Sequence, residues 1–174
     1  MAKKPLAILL ALALLTSCFS VRQDRHYYVL VAEPSSVSAG ANLEEVKLAT
    51  YLDRLDLCYL AKSGELVRLP KAKWAQSLSG ILKNYLITAT RPSLGTLTDD
   101  TPRATVFIDQ FLMNADGTFQ VAGAVEIRMR GLPTERKGFA FLLPSRGKPS
   151  VATMIEQSQL ALEKILAEQL HANK

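Results

Sequence analysis

The stretch ATVFIDQFLMNADGTFQVAGAVEIRMR, residues 104–130, constrains this chain most. It holds two apolar-rich runs around Asn114-Ala115-Asp116-Gly117. In the second run Phe119, Val121, Gly123, Val125, Ile127 and Met129 point one way. Gln120, Ala122, Ala124, Glu126, Arg128 and Arg130 point the other. Successive side chains of a strand face opposite sides, so this period of two implies a sheet with one buried face and one wet face. The turn Gly131-Leu132-Pro133-Thr134 leads to a further strand, Lys137–Leu143.

A half-apolar sheet must be covered, and two segments have the period to cover it. Trp74, Leu78, Ile81, Leu82 and Tyr85 recur at spacings of three and four, which predicts a helix over 71–89. Pro70 suits its first turn, where no backbone donor is missed. Ser150 can cap a final helix with Val151, Met154, Ile155, Leu162 and Ile165 as its apolar stripe. Upstream, HYYVLVA and Leu43–Ala49 read as strands. Leu57–Ala61 and Glu65–Leu69 flank Lys62-Ser63-Gly64 as a hairpin. PSSVSAGAN and RPSLGTLTDDTPR read as loops. The order is β-β-β-β-α-β-β-β-α, and the long first helix predicts a crossover to a parallel pair. The expected fold is mixed α/β: one mixed sheet of about five to seven strands with two main helices on its apolar face.

The N-terminus determines the compartment. Lys3 and Lys4 precede an apolar run, Leu6 to Leu15. A membrane-spanning helix needs roughly 20 residues, whereas a signal-peptide core takes about 7–15. The run ends Leu15-Thr16-Ser17-Cys18, which resembles a bacterial lipobox. That resemblance implies cleavage before Cys18, with S-diacylglycerol and N-acyl lipid on Cys18, and several acyl chains anchor stably. Phe19 is not the Asp that retains such proteins at the inner membrane, so the outer membrane, periplasmic face, is expected. The chain divides into a signal peptide (1–17), a lipidated tether (18–26) and one domain (27–172).

The chain has 21 Lys and Arg against 16 Asp and Glu, with two of the lysines in the leader. The mild basic excess that remains fits a solvated surface, or else anionic lipid headgroups. Nucleic acid is not available in that compartment. Once Cys18 is lipidated, Cys58 has no disulfide partner, and within LDLCYL it reads as a buried thiol. His26 and His171 have no ligand-spaced neighbours, and Asp99-Asp100 reads as a solvated turn. No metal-binding, nucleophile-elbow or phosphate-loop motif occurs. The expectation is no catalytic residue, no metal, and no cofactor beyond the lipid on Cys18.

His26-Tyr27-Tyr28-Val29-Leu30, then Tyr51-Leu52-Asp53-Arg54, then Arg68-Leu69 leading to Trp74-Ala75-x-x-Leu78, form a recognisable series. It resembles the ABC-type transport auxiliary lipoproteins, the PqiC/YmbA-like family, which accompany MCE-type lipid transport systems in Gram-negative bacteria. Leu55 departs from the family's usual Pro, and ATRPSLG replaces its Pro-Trp stretch. The resemblance implies a non-catalytic docking component for an MCE-family periplasmic protein, self-associating as a homo-oligomer and held to the membrane by its lipid anchor. Tyr51, Leu52, Asp53, Arg54 and Trp74 would then be partner or subunit contacts. The other reading makes Asp53 and Arg54 a turn satisfying backbone groups, and Trp74 a core residue. The alternative function is a lipoprotein scaffold of another cell-envelope assembly or secretion complex.

Overall fold

A computed structural model describes residues 24–32, 41–90, 101–145 and 147–170. The leader, Cys18, Asp99-Asp100 and His171 lie outside the described residues. The elements are β1 (His26–Tyr28), β2 (Asn42–Leu48), β3 (Asp56–Leu60), β4 (Leu66–Trp74), α1 (Leu78–Thr90), β5 (Arg103–Asn114), β6 (Phe119–Arg128), β7 (Glu135–Leu143) and α2 (Val151–Ile165). The last helix widens into a π-turn over Leu166–Leu170. This is the expected mixed α/β order.

The seven strands form one mixed sheet in the order β1-β4-β3-β5-β6-β7, with β2 also on β5. One edge of β5 pairs antiparallel with β6. The other edge is shared end to end by two parallel strands. β2 takes its first half, from Asn42↔Arg103 to Leu48↔Ile108. β3 takes its tip, at Tyr59↔Met113 and Leu60↔Asn114. The expected crossover is therefore present, since β2 and β3 both precede α1 and both lie parallel to β5.

Both helices cover the apolar face. Ile81, Leu82 and Leu86 of α1, and Ala161, Leu162 and Ile165 of α2, are sealed with Val106, Ile108, Met113, Phe119, Val121 and Val125. Each large aliphatic or aromatic side chain buried this way contributes about 1.5–3 kcal/mol. Phe111 meets Phe119 edge to face at 4.9 Å. Ser150 caps α2 as its sequence suggests, accepting the Thr153 N–H at 3.2 Å. The opposite face of the sheet is polar. Gln120 donates to Gln110 at 2.8 Å, Arg136 pairs with Glu126 at 2.9 Å, and Lys47 and Arg136 both lie over the Phe107 ring.

Two expectations need correction. The helix predicted over 71–89 starts only at Leu78, and Trp74 is the last residue of β4, not part of a helical face. Pro70 likewise lies inside β4 rather than in a helix's first turn. The reason is tertiary. β4 bulges against β3, its register jumping between Asp56↔Lys73 and Cys58↔Arg68, and Pro is tolerated at such a bulge. Lys71 takes φ 60° there. Past the bulge, His26↔Ala72 and Tyr28↔Trp74 give the chain a parallel partner. The Trp74 N–H donates to the Leu55 carbonyl at 2.6 Å, and the Ala75 N–H to Tyr28 at 2.9 Å. Four residues that would suit a helix are thereby held as strand. The second correction concerns HYYVLVA, where only His26–Tyr28 forms a ladder, although Leu30 is still buried.

Candidate functional site

The segment Tyr51–Arg54 lies where the free edge of β5 changes partner. Between Ile108↔Gly123 and Gln110↔Ala122 the β5–β6 register slips by one residue, so Asp109 is a β-bulge. Gly123 must be glycine there, because a Cβ would sit 2.0 Å from the Phe107 carbonyl oxygen. The departing β2 is tied off by the Ala49 N–H donating to Ile108 at 3.0 Å. The Tyr51 hydroxyl donates to the bulged Asp109 carbonyl at 2.6 Å, taking over an acceptor that the disturbed ladder leaves over. Burial, and then the Asp109 carboxylate, push the Tyr51 phenol above its ordinary pKa.

The four residues of the block have divided tasks. Leu52 is 3% exposed and plugs the core. Asp53 accepts the Ser79 N–H at 3.1 Å, and Ser77 Oγ accepts that of Gly80 at 3.3 Å. Asp53, from a distant position, and Ser77, from the residue just before the helix, thus satisfy free donors at the start of α1. Tyr51, at 40% exposure, and Arg54 remain on the surface. Trp74, at 4% exposure, does not reach solvent. The geometry therefore gives Leu52 and Trp74 to packing and leaves Tyr51 and Arg54 as surface groups of the block.

A small pocket of about 30 Å³ lies beneath them. Tyr51, Arg54, Asp56 and Cys58 stand at the rim, and Trp74, Leu78, Phe111 and Met154 line the interior. Ser158 also lines it, fully buried and with no hydrogen-bond partner for its Oγ. The rim carries a small ion cluster: Asp56 accepts Arg68 at 3.3 Å and Lys73 at 3.4 Å. Cys58 is buried in β3 as expected. Burial pushes its thiol pKa up, the Arg54 guanidinium opposes that, and Asp56 adds to it. A thiol held in its neutral form is a poor nucleophile.

Sequence reasoning missed the bulge, although its signal is present. The buried apolar residues of β5 run Ala104, Val106, Ile108 and then Phe111, Met113. Parity changes between 108 and 111, which requires one extra residue. Among the described residues no group of three His, Cys, Asp or Glu is placed to hold a metal ion, and no helix is long and apolar enough to cross a membrane.

Among curated proteins, none matches the chain in sequence. Solved structures do match it in fold. One, described as a crystal structure of an uncharacterised protein, superposes with a TM-score of 0.65 at 20% identity, covering 82% of this chain and 94% of that one. Another, from Xanthomonas campestris and described as a DUF330 family protein, gives 0.64 at 16% identity, covering 82% and 91%. At such identities the likeness is one of fold. The family is shown by sequence, since a family model matches residues 28–168. That span takes in every strand and both helices apart from the first two residues of β1 and the end of the π-turn. The chain belongs to the family of ABC-type transport auxiliary lipoprotein components.

Proposed function

We propose that this protein is the periplasmic auxiliary lipoprotein of an ABC/MCE-type intermembrane lipid transport system, anchored through Cys18 at the outer membrane and acting there as a non-catalytic docking component. The family match over residues 28–168 carries this reading. The site geometry fits it. Tyr51 and Arg54 stand at the surface on a rigid base, fixed by the Asp109 bulge and the start of α1. Aromatic and Arg side chains presented in this way are the residue types that dominate docking surfaces. The rim chemistry, a neutral thiol and a carboxylate held by two cations, offers no activated nucleophile.

The test is co-purification of the full chain with the MCE protein of its own cell. Arg54→Glu should abolish capture, because it reverses the charge of an exposed group without touching the core. Tyr51→Phe separates ring contact from hydrogen bonding, and it should retain most of the capture. Capture unchanged by Arg54→Glu would remove this block from the docking surface. For the anchor, Cys18→Ser should end incorporation of labelled palmitate, and label persisting in that variant would refute lipidation there.

A further inference from the structure

The start of β5 carries a second feature, roughly 20 Å from the Asp109 bulge that holds Tyr51, counting the six residue steps from Arg103 at the usual strand rise. There Arg103 from β5, Arg128 from β6 and Arg130 just beyond it surround an open hollow of about 370 Å³. Glu44 of β2 is the one carboxylate lining it. It takes Arg103 at 2.9 Å and Arg128 at 3.2 Å, one guanidinium on each oxygen. Three cations against one anion leave an excess of positive charge. Glu44 fixes two of the guanidiniums in place, while Arg130 is exposed and has no partner among the described residues. Pre-positioned guanidiniums suit the oxygens of a phosphate, which they can engage in a planar, two-bonded manner.

The chain next to this hollow is apolar at its tip. Met129 is 41% exposed and Leu132 is 58% exposed. The Leu132 N–H donates to the Met129 carbonyl at 3.2 Å, so both are held on one tight turn. All residues from Arg128 to Gly138 are exposed. Exposed apolar side chains on a turn, bracketed by arginines that can stay at phosphate level, match a surface that is greasy below and anionic at the boundary. A purely acidic chain such as polyglutamate would satisfy the arginines but would give Leu132 no apolar partner.

We propose that this end of the sheet binds the anionic headgroups of a phospholipid surface. Arg103, Arg128 and Arg130 engage lipid phosphate, and Met129 and Leu132 enter the acyl boundary. The contact is separate from the docking block and does not depend on it.

Hydrogen exchange over residues 129–134 tests this, with the full chain reconstituted in vesicles. In vesicles containing phosphatidylglycerol the turn should exchange more slowly than in pure phosphatidylcholine, and added salt should reduce the difference. Arg130→Ala should lower the protection about five-fold, the usual worth of one basic residue near an anionic membrane. Arg130→Ala combined with Leu132→Ser should abolish it. Both positions are exposed, so the fold is retained, and unchanged exchange in α2 would verify that. Equal exchange in the two vesicle types would overturn the proposal, as would protection surviving in the double variant. Equal slowing by inorganic phosphate alone would make this a free-phosphate site and overturn the membrane contact. Slowing by polyglutamate but not by anionic vesicles would indicate an acidic protein partner and overturn it as well. Arg54→Glu should leave the protection intact, so failure of the docking reading and failure of this one are distinguishable.

Discussion

In the β5–β6–β7 meander each strand pairs with the one next to it in sequence. The β6–β7 ladder runs without a slip from Phe119↔Leu143 to Ile127↔Glu135, and the β5–β6 ladder has its single bulge at Asp109. The β1–β4–β3 flank is built otherwise. β1 is three residues long and parallel, and β4 slips against β3 around Lys71. The slip falls inside the β3–β4 hairpin, beyond Arg68, where the far end of β4 takes β1 as a second partner, while the distant β1–β4 pairing itself stays in register. A ladder between sequence neighbours keeps the period of two only while neither strand must serve another partner, and a bulge lets it break the period and still close the same core.

Trp74→Ala sharpens this comparison most. Trp74 ends β4, meets β1 and lines the pocket, so its loss should cost about 3–5 kcal/mol. A chemical denaturation midpoint checks the size, and hydrogen exchange checks the distribution. If the flank opens alone while β5–β7 stay protected, the two regions are distinct cooperative units. If protection falls everywhere, the regular and irregular halves stand or fall together.

Gly123→Ala attacks the regular half at its one irregular point. The added Cβ would meet the Phe107 carbonyl at 2.0 Å and the Phe139 ring at 2.9 Å. The strands must separate there, at a cost of about 1–3 kcal/mol. A melting temperature unchanged from wild type would show that the bulge can relax freely.

Smaller effects probe the joint between the regions. Asp53→Ala removes the acceptor for Ser79 N–H while Ser77 still caps Gly80, so a loss near 1 kcal/mol is expected. A larger loss would mean that Asp53 also holds the β2–β3 connection. Lys71→Gly should act in the other direction. Relief of the φ 60° backbone should stabilise by about 0.5–1 kcal/mol, partly offset by the freer unfolded chain. Destabilisation would show that the Lys71 side chain contributes more than its backbone costs.

The Tyr51–Arg54 segment shows how much of the site could be read in advance. Tyr51-Leu52-Asp53-Arg54 is a recognisable string, but its residues do different things. Leu52 fills the core, Asp53 satisfies the Ser79 N–H, Tyr51 satisfies the Asp109 carbonyl and also faces outward, and Arg54 is a surface group. The turn reading for Asp53 therefore describes its observed contact, since a backbone donor is what it satisfies. None of these assignments follows from spacing, because each partner lies far away in sequence. The arginine hollow was equally hidden. Arg128 and Arg130 sit in an alternating strand pattern as ordinary wet-face residues until β2 and β5 bring Glu44 and Arg103 beside them.

Sequence alone determined the elements whose stabilising contacts are local or periodic. These are the β5–β6–β7 meander with its turns, the Ser150 cap and stripe of α2, the apolar face of α1 from Leu78 onward, and the buried thiol of Cys58. Tertiary structure alone decided that Ala72–Trp74 is strand, that Asp109 bulges, and that β2 and β3 share one edge of β5. The physical reason is common to all three. A backbone donor or acceptor must find a partner when buried, and any segment that supplies one can override the period of the residues around it.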